Sequence, residues 1–271
     1  MSSTSNINTL TNQKVAAIAS LVLAAYGNIR YLVGRVSTGE KFHVSDTPFT
    51  ANIIVVLVFW GLMHIMQLSY ISQTFVPEQG GEVRSSSTIK SGYHFTAFNF
   101  LHFLWVYLFA KQHWFFSEVV LIMNFLNIAA LYAAHKTYNI KPLSAWSLVH
   151  VPVSALPLSW LFYAIFWNGA VLFHVHKLVG RVVSNVLIWN FLLFPVILLV
   201  AYNDYAVGFG FSIISLGIAL GQLFTKVFAL QWIFAFVISG IVFVLSLVTA
   251  FAGSLRPQRR IESAESAPLL E

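Results

Sequence analysis

Three polar or aromatic side chains recur at three-residue steps in an otherwise apolar stretch, FNFLHFLWVYLFAKQHW: Asn99, His102 and Trp105. On a helix, such steps confine the three side chains to one face, within roughly 120° of each other. An indole offers a flat apolar surface and one donor, and a neighbouring amide or imidazole can orient the polar edge of a ligand. The stripe therefore predicts a ligand-binding wall or, alternatively, interhelical hydrogen bonds worth about 0.6 kcal/mol each in lipid.

Histidine is the residue type that could bring a metal or a haem, because the chain has nine histidines and no cysteine. His64, His102 and His150 lie within apolar runs or at their edges. Axial haem ligation needs two histidines at matched depth on facing helices, and the spacing shows no such pair. We therefore expect interfacial or hydrogen-bonded histidines, with no metal site and no cofactor.

The sequence also lacks a recognisable catalytic pattern. It has no nucleophile–base pair, no phosphate-binding loop and none of the histidine clusters of membrane desaturases. Glu118 is the one carboxylate that falls near the interior of a predicted span, which is too few for a proton-coupled relay. We therefore expect that the protein is not an enzyme.

The composition places these side chains in a membrane protein. The chain is 58% hydrophobic and 9% charged, whereas a soluble domain is about 25% charged. Its net charge of +6 comes from scattered loop residues and the basic segment RPQRR near the C-terminus. This charge suits an anionic lipid surface, and because no basic stripe marks a folded soluble face, we expect no nucleic-acid partner.

The elements that must position the stripe are membrane-spanning helices. Uncharged runs of about 20 residues match the length that a helix needs to cross the hydrocarbon core, and lipid excludes open sheets. The sequence predicts an all-α polytopic transmembrane helix bundle of about eight spans within residues 13–255, flanked by cytosolic tails 1–12 and 256–271. The predicted spans are 15–33, 51–76, 91–110, 114–134, 146–173, 183–203, 205–224 and 228–255.

Glycine and proline predict local features of this bundle. The connection Pro77–Lys90 (PEQGGEVRSSSTIK) is rich in Gly and Ser, which is typical of a flexible loop. Prolines interrupt the fifth and sixth spans and should bend them, at positions 152, 157 and 195. Gly217 and Gly221 form a GxxxG step, which favours close helix packing within the bundle over dimerisation.

The C-terminal tail carries an orientation signal and a sorting signal. Loop charges are balanced between the two sides, but the basic segment 256–260 follows the last span directly and places both termini in the cytosol. Glu265, Leu269 and Leu270 form an acidic dileucine pattern, which predicts a sorting adaptor as partner and a vacuole-type membrane as destination. The alternative is an inert solvated tail.

Several of these segments resemble the tryptophan-rich sensory protein/translocator protein family. The stretch from His102 resembles its third helix, where an Asn-x-x-Trp pair precedes a Leu-Phe-Phe run and a His-containing turn. Trp160 lies eight residues before Asn168, as in the family's fifth helix, and Trp60 followed by His64 resembles its Trp-x-x-x-Tyr step. The similarity covers roughly residues 48–173, with histidine at 102 and 64 where the family has Asn and Tyr.

The layout, with three further spans, is also similar to longer relatives and to uncharacterised fungal multi-span proteins of unknown function. The resemblance implies an aromatic-lined cavity for a flat apolar ligand such as a porphyrin or a sterol. The candidate ligand-binding residues are Trp60, His64, Asn99, His102, Trp105, Trp160 and Asn168. We therefore expect a non-enzymatic binder or carrier; the alternative is a structural or assembly factor that binds partner membrane proteins. A cavity beside the indoles would favour the binder.

Overall fold

The computed structural model describes residues 2–32, 47–73, 82–175, 178–225 and 230–253. Within these ranges all regular structure is helical and no strand occurs, so the all-α prediction is confirmed. The helices are α1 Ser2–Gly27, α2 Ile53–Gln73, α3 Glu82–Ala110, α4 Trp114–His135, α5 Leu143–His150, α6 Leu156–Leu172, α7 Leu178–Leu187, α8 Asn190–Tyr202, α9 Tyr205–Thr225 and α10 Gln231–Ala252.

Six helical segments among the described residues are long and apolar enough to cross a membrane. They are Ile53–Ser72, Trp114–His135, Leu143–Leu172, Val182–Tyr202, Tyr205–Leu223 and Gln231–Ala252. The chain is therefore a multi-pass membrane protein. The two other predicted spans, 15–33 and 91–110, fall largely within α1 and α3, and their crossing of the membrane stays a prediction.

The rod that runs from α5 to α6 is the central element, because most of its residues are buried by other helices. A single π-helical turn, Val151–Ala155, joins the two helices and contains Pro152. In this turn the Leu156 N–H donates to the Val151 carbonyl, five residues back, and the next residue, Pro157, has no N–H to donate to the Pro152 carbonyl. Nε2 of Gln67 on α2 donates to the Pro152 carbonyl instead, at 3.5 Å.

One segment predicted to be a flexible loop is partly helical, and the N-terminal tail is helical as well. The predicted loop Pro77–Lys90 is wrong in its second part, because α3 begins at Glu82; residues 74–81 lie outside the described residues. The predicted tail 1–12 is also mostly helical, because α1 begins at Ser2. Residues 2–12 and 82–90 contain neither proline nor glycine, so each stretch extends the apolar helix that follows it.

The GxxxG step packs inside the bundle, as predicted. A Cβ atom on Gly221 would lie 2.4 Å from the carbonyl oxygen of Thr50, and one on Gly217 would lie 3.1 Å from Val55. The backbone N–H of Asn52 donates to the Gly217 carbonyl at 2.8 Å. Two glycines thus let α9 touch the backbone that leads into α2.

Candidate functional site

The polar stripe on α3 faces the bundle interior. Asn99, His102 and Trp105 are all fully buried, so the predicted orientation is confirmed. The structure also brings most of the candidate ligand residues together around this stripe, from α2, α3 and α6.

Three indoles and one imidazole form a packed group, which we call the indole cluster: Trp60, His102, Trp105 and Trp160. The ring centroids of Trp60 and Trp160 are 5.0 Å apart, and those of Trp105 and Trp160 are 6.1 Å apart, both edge to face. The His102 ring lies 5.3 Å from Trp105. These are the geometries that aromatic pairs prefer, so the predicted wall is a packed aromatic core.

Asn28, which directly follows α1, contacts two of the candidate histidines, His64 on α2 and His102 on α3. Its Nδ2 lies 3.1 Å from His64 Nε2, and its Oδ1 lies 2.8 Å from His102 Nε2. Because the amide nitrogen donates and the amide oxygen accepts, His64 must accept at Nε2 and His102 must donate there. His64 Nδ1 then donates to Gln67 Oε1 at 3.2 Å. Both histidines are therefore hydrogen-bonded core residues, and Asn28 is a partner that sequence reasoning missed.

A second polar group joins α3, α4 and α6 near the connection between α3 and α4. Trp105 Nε1 donates to Asn168 Oδ1 at 3.2 Å, and Ser117 Oγ donates to the same oxygen at 2.7 Å. Asn168 Nδ2 donates to Glu118 Oε2 at 2.7 Å. Trp105 and Asn168, which the sequence analysis named from two different segments, are thus in contact, and the half-buried Glu118 bonds the same amide.

Some buried polar atoms of this region have no partner within the described part of the chain. They are Trp60 Nε1, Trp160 Nε1, His102 Nδ1 and Asn99 Oδ1. Asn99 stands apart from the cluster, since its Nδ2 donates to the Phe95 carbonyl of its own helix. Buried donors and acceptors without partners cost free energy, so each is a point where a polar group of a ligand or a water could bind.

A buried polar network that the sequence did not predict lies at the opposite end of the bundle. We call it the Asp204 network: Tyr132, Thr137, His150, Ser154 and Asp204. His150 Nε2 lies 2.9 Å from Asp204 Oδ2, and the Tyr132 hydroxyl donates to the same oxygen at 2.8 Å. Thr137 Oγ1 lies 2.8 Å from His150 Nδ1 and donates to Ser154 Oγ at 3.1 Å. Four helical elements and one short connection thus meet at one ion pair.

Asp204 also caps α9. Its Oδ1 accepts the backbone N–H of Val207 at 3.2 Å, which is the N-cap to N3 bond of a helix start. Burial by itself would raise the pKa of the Asp204 carboxyl, but the nearby His150 and the hydrogen bonds from His150, Tyr132 and Val207 outweigh burial and hold that pKa below its usual value. Asp204 is therefore a charged, satisfied carboxylate in the two-residue connection between α8 and α9.

The order hydroxyl, imidazole, carboxylate in Thr137, His150 and Asp204 is also the order of an activated nucleophile. Here the Thr137 hydroxyl donates to Ser154, so its proton points away from His150. The arrangement is a buried hydrogen-bond network around the contact between His150 and Asp204. The sequence analysis did not single out Asp204, which lies between two spans, whereas Glu118 lies near the interior of one. The sequence did offer one signal for this network, because Asp204 is a charged residue between two long apolar runs.

The cavities of the described part of the chain include two that are large enough to hold a small ligand. An apolar cavity of about 410 Å³ lies between α6 and α7, and an interfacial pocket of about 690 Å³ lies beside the Asp204 network. The apolar cavity is lined among others by Phe166, Gly169, Phe173, Val183, Ser184 and Leu187. None of the seven candidate ligand residues lines either cavity. No group of three or more His, Asp or Glu residues suited to a metal ion occurs among the described residues.

Comparisons with known proteins point to fungal proteins of unknown function. Residues 181–270 match the family described as "Fungal protein of unknown function (DUF1774)". An uncharacterised protein of Schizosaccharomyces pombe is 36% identical over 116 residues, a match that covers 41% of this chain and 40% of that relative. The chain thus aligns with less than half the length of this curated relative, and no solved structure matches it.

These findings confirm the predicted similarity to uncharacterised fungal proteins. Nothing in them links the chain to the tryptophan-rich sensory protein/translocator protein family. The family match begins at residue 181, beyond the segment 48–173 on which that resemblance rests.

Proposed function

We propose that this protein is a non-enzymatic binder or carrier of a small apolar ligand, and that the ligand occupies the apolar cavity between α6 and α7. The observation that carries the proposal is the cavity itself. Its volume of about 410 Å³ falls within the range of roughly 300–1,000 Å³ that is typical of ligand sites, and its lining is almost wholly apolar.

The cavity is accessible from the surface that faces lipid. Phe173, Val183 and Leu187 line it and are exposed at their outer faces. A ligand dissolved in the bilayer could therefore enter sideways without crossing water. Ser184 is the polar side chain of the lining, although its hydroxyl already donates to the Gly180 carbonyl. The proposed ligand is thus held mainly by apolar contact, as a sterol or a porphyrin would be.

The indole cluster supports this proposal as the rigid backing of the site. It packs on one face of α6 through Trp160, and Asn168 ties the same face to α3 and α4. The cavity-lining Phe166 and Gly169 lie on another face of the same helix, and Phe173 directly follows its last residue. We retain the resemblance to the tryptophan-rich sensory protein/translocator protein family as a proposal. It implies that the residues of the indole cluster line the ligand site directly.

The test compares a variant that fills the cavity with one beside it. Val183→Phe adds volume inside the cavity, whereas its neighbour Val182→Phe, exposed and outside the lining, is the matched control. Purified protein is titrated with dehydroergosterol and with protoporphyrin IX, and quenching of tryptophan fluorescence is recorded. We expect saturable binding by the parent and by the control, and at least tenfold weaker binding by Val183→Phe. Absence of saturable quenching with both probes would contradict the proposal.

Trp160→Ala separates the two proposed sites. If the indole cluster is backing, this change opens a void and lowers stability by about 3–5 kcal/mol, with binding affected through folding alone. If the cluster is the ligand site, binding weakens while the melting temperature changes little.

The second candidate function is that of a structural or assembly factor. The observation that favours it is the open space at Gly61 on α2. An added Cβ atom there would meet nothing within 4 Å, so α2 presents a shallow groove on an apolar exposed face. A partner helix could pack closely on such a groove. Crosslinking from Gly61→Cys to another membrane protein would favour this candidate.

For localisation we propose a vacuole-type membrane with both termini in the cytosol. The support is the tail pattern Glu265, Leu269 and Leu270, which lies outside the described residues. Leu269→Ala combined with Leu270→Ala should redistribute the protein to another membrane, because an adaptor pocket loses roughly 1.5–3 kcal/mol for each leucine. Unchanged localisation in fluorescence microscopy would leave the tail as an inert segment.

A further inference from the structure

The interfacial pocket beside the Asp204 network has aromatic walls from three separate elements. Tyr138 comes from the 3₁₀ turn Thr137–Asn139, Trp146 from α5 and Tyr205 from the start of α9. Lys141 is the charged side chain of the lining and is exposed to solvent. Convergence of three rings and one cation on a single recess is more than a belt of aromatic residues at a membrane boundary requires.

Each aromatic wall is held by a member of the buried network. Trp146 lies 5.2 Å from the ring of His150, and Tyr138 lies 5.0 Å from the ring of Tyr132, whose hydroxyl bonds Asp204. Tyr205 directly follows Asp204, the residue that caps α9, and its ring lies 4.8 Å from Trp146. The network therefore fixes the ring positions, and the pocket is built before any ligand arrives.

The pocket lies at the ends of membrane-crossing segments. Its residues belong to the connection between α4 and α5, to the first turn of α5 and to the first residue of α9. In a bilayer, these positions fall at the level of lipid headgroups, where a ligand with one charged end and an acyl tail is abundant.

We propose that this pocket binds a phosphocholine headgroup, with the quaternary ammonium against the rings of Tyr138, Trp146 and Tyr205 and the phosphate against Lys141. A quaternary ammonium has no N–H to donate, so ring faces are its natural partners. A bare cation would be repelled by Lys141, whereas in a zwitterion the phosphate neutralises that lysine. This site lies apart from the apolar cavity and does not depend on the function proposed for it.

The binding test uses the full chain in maltoside detergent and native mass spectrometry. Phosphatidylcholine, phosphatidylethanolamine and phosphatidylglycerol with the same acyl chains are added in equal amounts, and the lipids retained by the protein are counted. We expect retention of phosphatidylcholine at least several-fold above the other two. Equal retention of all three lipids would overturn the proposal.

Separate variants test the contacts of the ammonium and of the phosphate of the headgroup. Tyr205→Leu should reduce phosphatidylcholine retention roughly tenfold and leave phosphatidylethanolamine unchanged, whereas Tyr205→Phe keeps the ring and should behave as the parent. Lys141→Gln should weaken the retention of all three phospholipids. Tyr93→Leu, which removes an exposed tyrosine outside the pocket, is the matched control. Tyr138→Leu is the second test if Tyr205→Leu lowers the melting temperature.

The source of the headgroup is decided by competition with free phosphocholine. Displacement of the lipid by free phosphocholine at similar concentration supports a site for the soluble headgroup. Failure to compete supports a lipid site in which acyl chains contribute. Loss of phosphatidylcholine retention in Tyr93→Leu as well as in Tyr205→Leu would overturn the assignment of this pocket.

Discussion

At the scale of single residues, Asp204 is the position where one side chain serves two roles. It pairs with His150 and caps α9, and both contacts are fully buried. A buried ion pair is weak evidence for net stability, yet removal of one partner leaves the other uncompensated and is strongly destabilising. The consequence can be measured directly.

We expect Asp204→Asn to lower the free energy of unfolding by about 3–5 kcal/mol, because His150 then faces an amide in place of a carboxylate. The matched control is Glu118→Gln, since a glutamine oxygen can still accept from Asn168, and a change below about 1 kcal/mol is expected. The measurement is unfolding in mixed detergent micelles followed by tryptophan fluorescence. Equal effects of the two changes would contradict the ion-pair interpretation.

The pH dependence of this contribution has a definite sign. Because the pKa of Asp204 in the folded protein lies below its ordinary value of about 3.9, the stabilisation is complete above that value. It decreases only as the pH falls through the lowered pKa. Between about pH 5 and pH 3 the stability difference between the parent and Asp204→Asn should therefore shrink, because the parent alone loses an ionised carboxyl in that interval.

Asn28 is the second residue on which several others depend. Asn28→Leu removes the amide between His64 and His102 and leaves polar ring atoms buried without partners. We expect a loss of about 1–3 kcal/mol in the same unfolding assay. Asn190→Ala is the control and should cost less than about 0.5 kcal/mol, because within the described residues its amide donates to an exposed carbonyl of the preceding turn. A smaller loss for Asn28→Leu than for the control would contradict the bridging role.

At the scale of elements, small residues decide where helices can touch. Gly221→Ala places a Cβ atom against the backbone at Thr50, whereas Gly240→Ala on α10 meets nothing within 4 Å. We expect the first change to cost about 1–3 kcal/mol from overpacking, and the second to be neutral or stabilising by up to about 1 kcal/mol, because alanine favours the helix. Melting temperatures in detergent compare the two, and similar values would contradict close packing of α9 on α2.

At the scale of the whole molecule, the crossing of α4 can be read by chemical labelling, because the parent chain has no cysteine. Gln112 and Lys136 are exposed and flank α4, and Asn203 is exposed between α8 and α9. A membrane-impermeant maleimide should label Gln112→Cys from one side only, and Lys136→Cys and Asn203→Cys from the other, the cytosolic side. Labelling of Gln112→Cys and Lys136→Cys from the same side would show that α4 does not cross.

Composition and residue spacing were enough to predict the class of this protein and its periodic features. Low charge and long apolar runs are properties of composition, so the helical membrane fold and the inward-facing stripe around His102 could be predicted. The close packing at Gly217 and Gly221 was also predictable, because the absence of a side chain is a local property. The ends of the helices were harder to predict, because a helix extends at little cost where no glycine or proline interrupts it.

Which polar groups meet depends on how the helices pack in three dimensions. Asp204 and Thr137 are 67 positions apart in the chain, yet both bond His150. No periodicity links residues on five separate elements, because hydrogen bonds between helices depend on helix rotation and depth. Cavities follow the same rule: the space beside α6 is what side chains of several helices leave unfilled. Local sequence therefore fixes which face of a helix is buried, and three-dimensional packing decides whether that face becomes a core, an ion pair or a pocket.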